Sequence, residues 1–447
     1  MFNNNKILIL GFARSGYDAA KVLINRNNQV TIFDDKEKET HDQEKIVELT
    51  NLGVNFIFGS LPDNLLDPSY NYLIKNPGVP IDHPLAIQAN SLGIELINEA
   101  EMAFRLFKGK VKLIGVTGTN GKTTTTTLIY EVLKAAKLPV HITGNIGFPL
   151  CGFLNIINQD DIIVMEVSSQ QLENFKEFNP DIAVLTNLSP AHIDFFKTYE
   201  YYQNTKAKIF QNQTSNNLAV LNYNDEDTKK IIPKIKSEVI YFSTTNNEAK
   251  CHLENNVIYY NNKEVIKTNQ IKIMGQHNYE NIMAMILVVK NFNVDNEIII
   301  NVLRDFNGVP HRLEYVKELN SRVFYNDSKA TNIESTKIAV LSFSQPTILL
   351  MGGMERNQDF NELNKVMKNV RLVVCYGQNK ERIKAWLNAI KIETIVCENI
   401  VDATKIAYEK SNVNEVILLS PASASWDQFD CFESRGDLYK ETVNQLN

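Results

Sequence analysis

Residues 113–123 read LIGVTGTNGKT, and this stretch decides the fold. An apolar run at Lys112–Val116 ends in a glycine-bearing turn, and a helical pattern then runs from Gly121 to about Ala136. Glycines let backbone amides face a phosphate chain, and the start of a helix adds partial positive charge. In such a loop Lys122 reaches the β- and γ-phosphates of a nucleotide, and the Thr123 hydroxyl serves a Mg²⁺ ion. The usual GxxxxGK[ST] spacing is not met, because position 116 is Val rather than Gly. The strand before and the helix after still supply the context that the motif needs. Gly118, Thr119, Asn120, Gly121, Lys122, Thr123 and Thr124 are the candidate phosphate loop.

Working outward, the next apolar run, Ile162–Glu166, ends in a glutamate at the head of EVSSQQLE. A carboxylate at a strand end beside a nucleotide loop is placed to bind Mg²⁺ or to orient water. The run Ile182–Thr186 leads into NLSPAHID, which puts His192 and Asp194 at another strand end, where open α/β sheets place ligands. Lys206 follows in a helical segment, NTKAKIF. Spacing alone gives Lys206 no role, and a solvated lysine is its ordinary reading.

Toward the N-terminus, KILIL at residues 6–10 reaches Gly11, a helical pattern runs to about Arg26, and Val30–Phe33 ends in Asp34. This is β-α-β. Its loop, GFARSG, lacks the middle glycine of GxGxxG, since position 13 is Ala. Asp34 stands where an acid meets a ribose in dinucleotide domains. The loop is either a tight turn with no ligand or a phosphate site at Ser15–Gly16.

Further runs at Tyr72–Ile74 and Ile94–Ile97 extend the first alternating series to about residue 108. Between 238 and 274 short pieces with Asn-rich turns predict an antiparallel edge or flap. Helical patterns return at 277–291 and 296–306. After Gly308-Val309-Pro310, runs at Val323–Tyr325, Thr347–Leu350, Arg371–Cys375, Glu393–Val396 and Val416–Leu419 form a third series. The predicted architecture is α/β, in three sequential domains at 1–108, 109–308 and 309–447. The length of 447 residues is too great for one ordinary core. The net charge, 46 − 52 = −6, gives no sign of nucleic acid as a partner. No apolar stretch is long enough for a membrane helix, and the N-terminal run reads as a strand rather than a signal peptide. Five scattered cysteines, Cys151, Cys251, Cys375, Cys397 and Cys431, with no CxxC pair, support neither zinc nor a disulfide framework.

TGTNGKT, EVSSQQLE, NLSPAHID, NTKAKIF, GQHNYEN, GVPHRLE, NDSKATN and SPASASWDQF occur in that order, and together they resemble the Mur ligase family over essentially the whole chain. The resemblance implies an ATP-dependent ligase that activates a carboxylate as an acyl phosphate. Among such ligases the motifs fit best the addition of D-glutamate to UDP-N-acetylmuramoyl-L-alanine in peptidoglycan precursor synthesis. It implies a Rossmann-like first domain that binds the UDP part, with Ser15, Asp34, Asp35 and Lys36 beside it, and Asn145 touching the substrate. ATP would be held by the phosphate loop, Asn278, Asn281, Arg312 and Asp327. Two Mg²⁺ ions would use Thr123, Glu166 and His192, with Lys206 as a carbamylated ligand. Lys329, Thr331, Ser425 and Phe432 would face D-glutamate. The implied enzyme is a cytoplasmic monomer that inserts into no membrane.

The chain departs from the family in three places. A lysine usually follows the glycine pair, but here the chain reads Gly352-Gly-Met-Glu-Arg356, so Arg356 becomes the candidate for the incoming carboxylate. Phe195 replaces the basic residue often found after HxD, and the stretch from His192 to Lys206 is about one residue short. Rival readings are a ligase for another amino acid, folylpolyglutamate synthase, or a non-catalytic nucleotide-binding regulator. The last should lack one of Lys122, Glu166, His192 or Lys206, and all four are present.

Overall fold

The structure, a computed structural model, describes residues 2–146, 148–273 and 275–446; the side chains of Asp194 and Glu334 lie outside the described set. The chain forms two compact units, Met1–Arg304 and Asp305–Asn447.

The first unit carries two sheets. Strands β1 (Lys6–Leu10), β2 (Gln29–Asp34), β3 (Asn55–Phe58), β4 (Tyr72–Lys75) and β5 (Glu95–Ile97) form a parallel sheet in the order β3-β2-β1-β4-β5. It is flanked by α1 (Arg14–Ile24), α2 (Gln43–Asn51), α3 (Pro84–Leu92) and α4 (Glu99–Phe107). The second sheet contains β6 (Lys112–Thr117), β7 (Val140–Gly144), β8 (Ile162–Glu166), β9 (Ile182–Leu185), β10 (Leu218–Asn222), β11 (Glu238–Ser243), β12 (Cys251–Glu254), β13 (Val257–Tyr260) and β14 (Lys263–Lys267). Its order is β14-β13-β12-β11-β10-β9-β6-β8-β7. Its helices are α5 (Lys122–Ala135), α6 (Ser169–Glu173), α7 (Ile193–Phe196), α8 (Tyr199–Ala207), α9 (Glu226–Ile231), α10 (Gln276–Val289) and α11 (Asn296–Asp305).

Strands buried on both faces read as unbroken apolar runs. Ile7 to Leu10 and Ile162 to Met165 are all buried, which is why those runs stand out in the sequence. The edge over 238–274 is antiparallel from β12 to β14, but β11 continues the parallel series by pairing with β10. Gly109 lies within the first unit, between the end of α4 and the start of β6. One buried apolar cluster runs from Phe2, Ile7 and Ile9 through Phe104 and Phe107 to Phe175 and Phe178. Each such side chain contributes about 1.5–3 kcal/mol when fully buried. Asn98 reinforces this junction. Its carbonyl oxygen caps α4 by accepting from Glu101 N at 2.9 Å, and its amide donates to Gln171 O at 2.6 Å. The fully buried Glu101 carboxylate accepts from the amides of Glu177 and Phe178 at 2.7 and 3.1 Å and pairs with Arg105 at 2.8 Å.

The second unit is one six-stranded sheet of β15 (Glu314–Leu319), β16 (Arg322–Asn326), β17 (Thr347–Gly352), β18 (Val370–Tyr376), β19 (Glu393–Val396) and β20 (Val416–Leu419). The order is β15-β16-β20-β17-β18-β19, with β15 antiparallel and the others parallel. Helices α12 (Ile333–Leu341), α13 (Lys380–Ala389), α14 (Ile400–Glu409) and α15 (Phe432–Gln445) complete it. Among the described residues no helix is long and apolar enough to cross a membrane.

Candidate active site

The phosphate loop lies between β6, a central strand of its sheet, and α5. Gly118 has φ +147°, and a Cβ there would stand 1.9 Å from Thr186 Oγ1. Gly121 caps α5 at φ +81°, where a Cβ would meet Asn281 Oδ1 at 2.2 Å. Only glycine satisfies both the backbone angle and the space at these positions. The loop is strapped to the segment after β9. Thr119 N donates to Asn187 O at 2.9 Å, Asn120 N to Asn187 Oδ1 at 2.9 Å, and Thr186 Oγ1 to Asn120 O at 2.5 Å. The amides of Thr119 and Asn120 thus serve the loop itself, and the first turn of α5 offers the amides for a phosphate. Lys122 Nζ lies over the loop, donating to Gly118 O at 3.0 Å and Thr119 O at 2.8 Å. Thr123 is buried one residue further on. Asn281, buried under Gly121, accepts from Thr125 Oγ1 at 3.3 Å and so buttresses the loop; Asn278 occupies the first turn of the same helix, α10.

Beside this loop β8 brings up Glu166, paired in register with Val116 of β6. Its Oε1 accepts from Asn145 Nδ2 at 2.7 Å, and Asn145 N donates to Glu166 O at 2.9 Å. Its Oε2 is buried without a hydrogen-bond partner. Lys206 is no solvated lysine. It is 1% exposed, and Nζ donates to Thr117 Oγ1 at 3.0 Å. Burial, with the charge of Lys122 adding to it, pushes the Lys206 ammonium well below the ordinary lysine range, while Glu166 pulls the other way. Desolvation disfavours the charged form, so the neutral amine gains. His192 sits at a left-handed position, φ +53°, at the exposed start of α7. The side chain of Asp194 lies outside the described residues.

Tyr202 links these groups, and sequence reading missed it. Its hydroxyl lies 3.1 Å from Thr119 Oγ1, its ring centroid is 5.5 Å from Lys206 Nζ, and its ring is 6.4 Å from that of His192. The available signal was its place one turn before Lys206 on α8, where residues four apart share a face. Among the described residues no group of three or more His, Cys, Asp or Glu could hold a metal ion. The unpartnered Glu166 oxygen and the anion that a carbamylated Lys206 would supply fit a hard cation.

At the end of β2, Asp34 turns onto the GFARSG loop. Oδ2 accepts from Phe12 N at 2.6 Å, Oδ1 accepts from Lys36 N at 3.0 Å, and His41 Nε2 lies 3.5 Å from Oδ1. Asp35 pairs with His83 Nε2 at 3.3 Å. His83 Nδ1 accepts from Leu85 N, so Nε2 carries the proton. Ser15 lies in the first turn of α1, and Lys36 is exposed.

In the second unit, loops after β16, β20 and β17 meet at the carboxyl edge of the sheet. Arg435 of α15, fully buried, donates to Ser328 O at 2.8 Å and to Ser423 O at 3.1 Å, and so ties two of these loops together. Asp327 is buried, with Oδ2 accepting from Ser420 Oγ at 2.8 Å and Oδ1 from Leu313 N at 3.2 Å; burial raises its carboxyl to about 7. Lys329 Nζ lies 5.7 Å from the Phe432 ring centroid, and Thr331 N donates to Lys329 O at 2.8 Å. Ser425 is buried, Arg312 is exposed, and the guanidinium of Arg356 lies 4.6 Å from the Trp426 ring centroid.

Comparison with known proteins matches this arrangement. The Mur ligase middle domain matches residues 116–289, the Mur ligase glutamate ligase domain 311–423, and the Mur ligase MurD-like N-terminal domain 5–98. A UDP-N-acetylmuramoylalanine--D-glutamate ligase of Enterococcus hirae is 41% identical over 458 residues, spanning 100% of this chain and 98% of that protein. One from Bacillus thuringiensis (strain Al Hakam) is 39% identical over 447 residues, with the same coverage. The chain belongs to the Mur ligase family, and as such it is an ATP-dependent ligase of peptidoglycan synthesis. The fold is also that of the Thermotoga maritima UDP-N-acetylmuramate-alanine ligase MurC, at TM-score 0.58 and 19% identity over 98% of this chain and 99% of that one. The MurF ligase of Thermotoga maritima, solved in complex with ADP, aligns at TM-score 0.58 and 18% identity over 99% and 96%.

Proposed function

We propose that this chain joins D-glutamate to UDP-N-acetylmuramoyl-L-alanine, with ATP converted to ADP and phosphate. The observation that carries the site assignment is the buried, unpartnered oxygen of Glu166 beside a buried Lys206 at the mouth of a phosphate loop. A carboxylate does not acylate an amine at neutral pH unaided. Its oxygen attacks the γ-phosphorus, the bond to the β-phosphate bridge breaks, and ADP leaves an acyl phosphate. The deprotonated amine of D-glutamate then attacks the acyl carbon and expels phosphate.

Phosphoryl transfer asks chiefly for positioning and charge neutralisation. Lys122 and the first turn of α5 grip the β- and γ-phosphates, with Gly118 to Thr124 as the loop and Asn278, Asn281, Arg312 and Asp327 as further nucleotide contacts. Thr123, Glu166, His192 and Lys206 would hold two Mg²⁺ ions, which supply charge neutralisation at the transferring group. Lys206 suits carbamylation because burial disfavours its charged form, and an uncharged amine adds CO₂ with loss of one proton. Asn145, fixed on Glu166, meets the acceptor; Ser15, Asp34, Asp35 and Lys36 meet its uridine part. Lys329, Thr331, Arg356, Ser425 and Phe432 receive D-glutamate. Residues 1–108, 109–308 and 309–447 then form the acceptor, nucleotide and amino-acid domains of a cytoplasmic monomer.

The test is ADP release with UDP-N-acetylmuramoyl-L-alanine and a panel of D-glutamate, L-glutamate, L-lysine and meso-diaminopimelate. Release with D-glutamate alone is expected. Preference for any other member of the panel overturns the substrate assignment.

A further inference from the structure

Arg356 and Trp426 sit on different loops, one after β17 and one after β20, which are neighbouring strands. The loops are clasped by backbone bonds. Gly352 N donates to Pro421 O at 3.1 Å and Met354 N to Ala424 O at 2.9 Å. On the far side of Trp426, Asp427 Oδ2 accepts from Gln378 N at 2.9 Å. The backbone around Trp426 is therefore pinned, yet the residue is 62% exposed. A single exposed aromatic is ordinary on a protein surface, but this one carries a cation over its face. That cation is the guanidinium of Arg356, 4.6 Å from the ring centroid. The acid nearest in sequence, Glu355, is committed elsewhere, its two oxygens accepting from Arg382 Nε and Nη2 at 2.7 and 2.8 Å. Among the described residues no carboxylate pairs with Arg356, so its charge is held in place without being neutralised.

We propose that Trp426 is a positioning residue for the incoming amino acid: its indole face holds the Arg356 fork ready for a substrate carboxylate. The inference rests on the D-glutamate reading above. An arginine stem has several rotatable bonds, and freezing it on a ring before the ligand arrives lowers the entropy lost on binding. A planar guanidinium can stack on the indole and still present N–H groups at its edge to a carboxylate. This arrangement also accounts for arginine in place of the family's lysine, since a compact ammonium on a flexible stem gains less from an aromatic tray.

The test uses the full-length enzyme with ATP and UDP-N-acetylmuramoyl-L-alanine saturating and D-glutamate varied. Trp426→Ala should raise the KM for D-glutamate about three- to fivefold, the range of an exposed cation–π contact, and leave the KM for ATP unchanged. Trp426→Phe should restore most of the loss. In an Arg356→Ala background, Trp426→Ala should add nothing further, because the group it positions is gone. The sequence has two tryptophans, and Trp386 is buried against Phe360. D-Glutamate should therefore change the protein's tryptophan fluorescence, and Trp426→Phe should abolish that change. Additive effects of the two alanine variants, equal rises in both KM values, or fluorescence indifferent to D-glutamate would overturn the inference while D-glutamate turnover stands. Absence of D-glutamate turnover in the unaltered enzyme overturns both this inference and the reading beneath it.

Discussion

Replacing Glu166 by Gln should make the metal-free protein more stable and the enzyme nearly inactive. The substitution keeps shape and keeps Oε1 as acceptor for Asn145 Nδ2, now at 2.7 Å. It removes the negative charge that leaves Oε2 buried without a partner. An unsatisfied buried polar group costs about 1–3 kcal/mol, and more when charged. The glutamine amide introduces donors of its own that must find partners, so the lower part of that range, about 1–2 kcal/mol, is the expected gain. For the first unit, Met1–Arg304, that raises the melting temperature by about 1.5–3 °C. The loss at Lys206 is limited because burial and the charge of Lys122 already disfavour its charged form, against the pull of Glu166. In the reaction the variant lacks an anionic oxygen where phosphoryl charge must be balanced, a deficit of the order that lowers turnover about 10²–10³-fold. Thermal unfolding in EDTA and ADP release on the same preparations give both numbers. A variant that melts lower than the parent in EDTA, or one that turns over at the parental rate, refutes the idea that Glu166 is strained for a cation.

Lys122→Ala should abolish ADP formation while the melting temperature stays near that of the parent; turnover close to the parent's removes Lys122 from the phosphate site. Lys206→Ala should be almost inactive and regain activity with short-chain carboxylic acids, and ¹³C-bicarbonate should give a carbamate signal in the parent alone; rescue by an amine but not by acetate would mean an ammonium acts there. Asp327 has its carboxyl raised by burial to about 7 from an ordinary 3.8, so the folded chain binds that proton more tightly than the unfolded chain does. Its contribution to stability is complete below pH 4, fades as pH rises and is gone above about 7, with a slope of at most about 1.4 kcal/mol per pH unit. The stability difference between the parent and Asp327→Asn should shift in the parent's favour on going from about pH 7.5 to 5, and a difference independent of pH contradicts this.

Most central strands and the phosphate loop were legible because their signals are local, although β10, Leu218–Asn222, is wholly buried and was not read. KILIL and IIVME are buried on both faces, so their composition alone announces strands. The short edge strands β3 and β7 were not read, since partial burial leaves Asn55–Phe58 and Val140–Gly144 without a clean pattern. β11 was read into the flap because the Asn-rich turns beyond it dominate the composition. Within the site, loop glycines and strand-end acids announce themselves by position, whereas the burial of Lys206 depends on helix α8 packing over Thr117, and no spacing reveals that. Tyr202 and Trp426 were passed over for the same reason. Each acts on a residue that is remote or on another loop, and an aromatic in a helix or loop carries no mark of what its face will meet.

The central step is an acyl phosphate formed from the acceptor's carboxylate. With UDP-N-acetylmuramoyl-L-alanine labelled by ¹⁸O in that carboxylate, one labelled oxygen becomes the bridge to the γ-phosphorus and leaves with phosphate when D-glutamate attacks. Mass spectrometry of the products should find inorganic phosphate carrying one ¹⁸O per turnover, formed only when D-glutamate is present, with ADP unlabelled. Unlabelled phosphate, or label appearing in AMP, would contradict the mechanism and the ligase reading of the site with it.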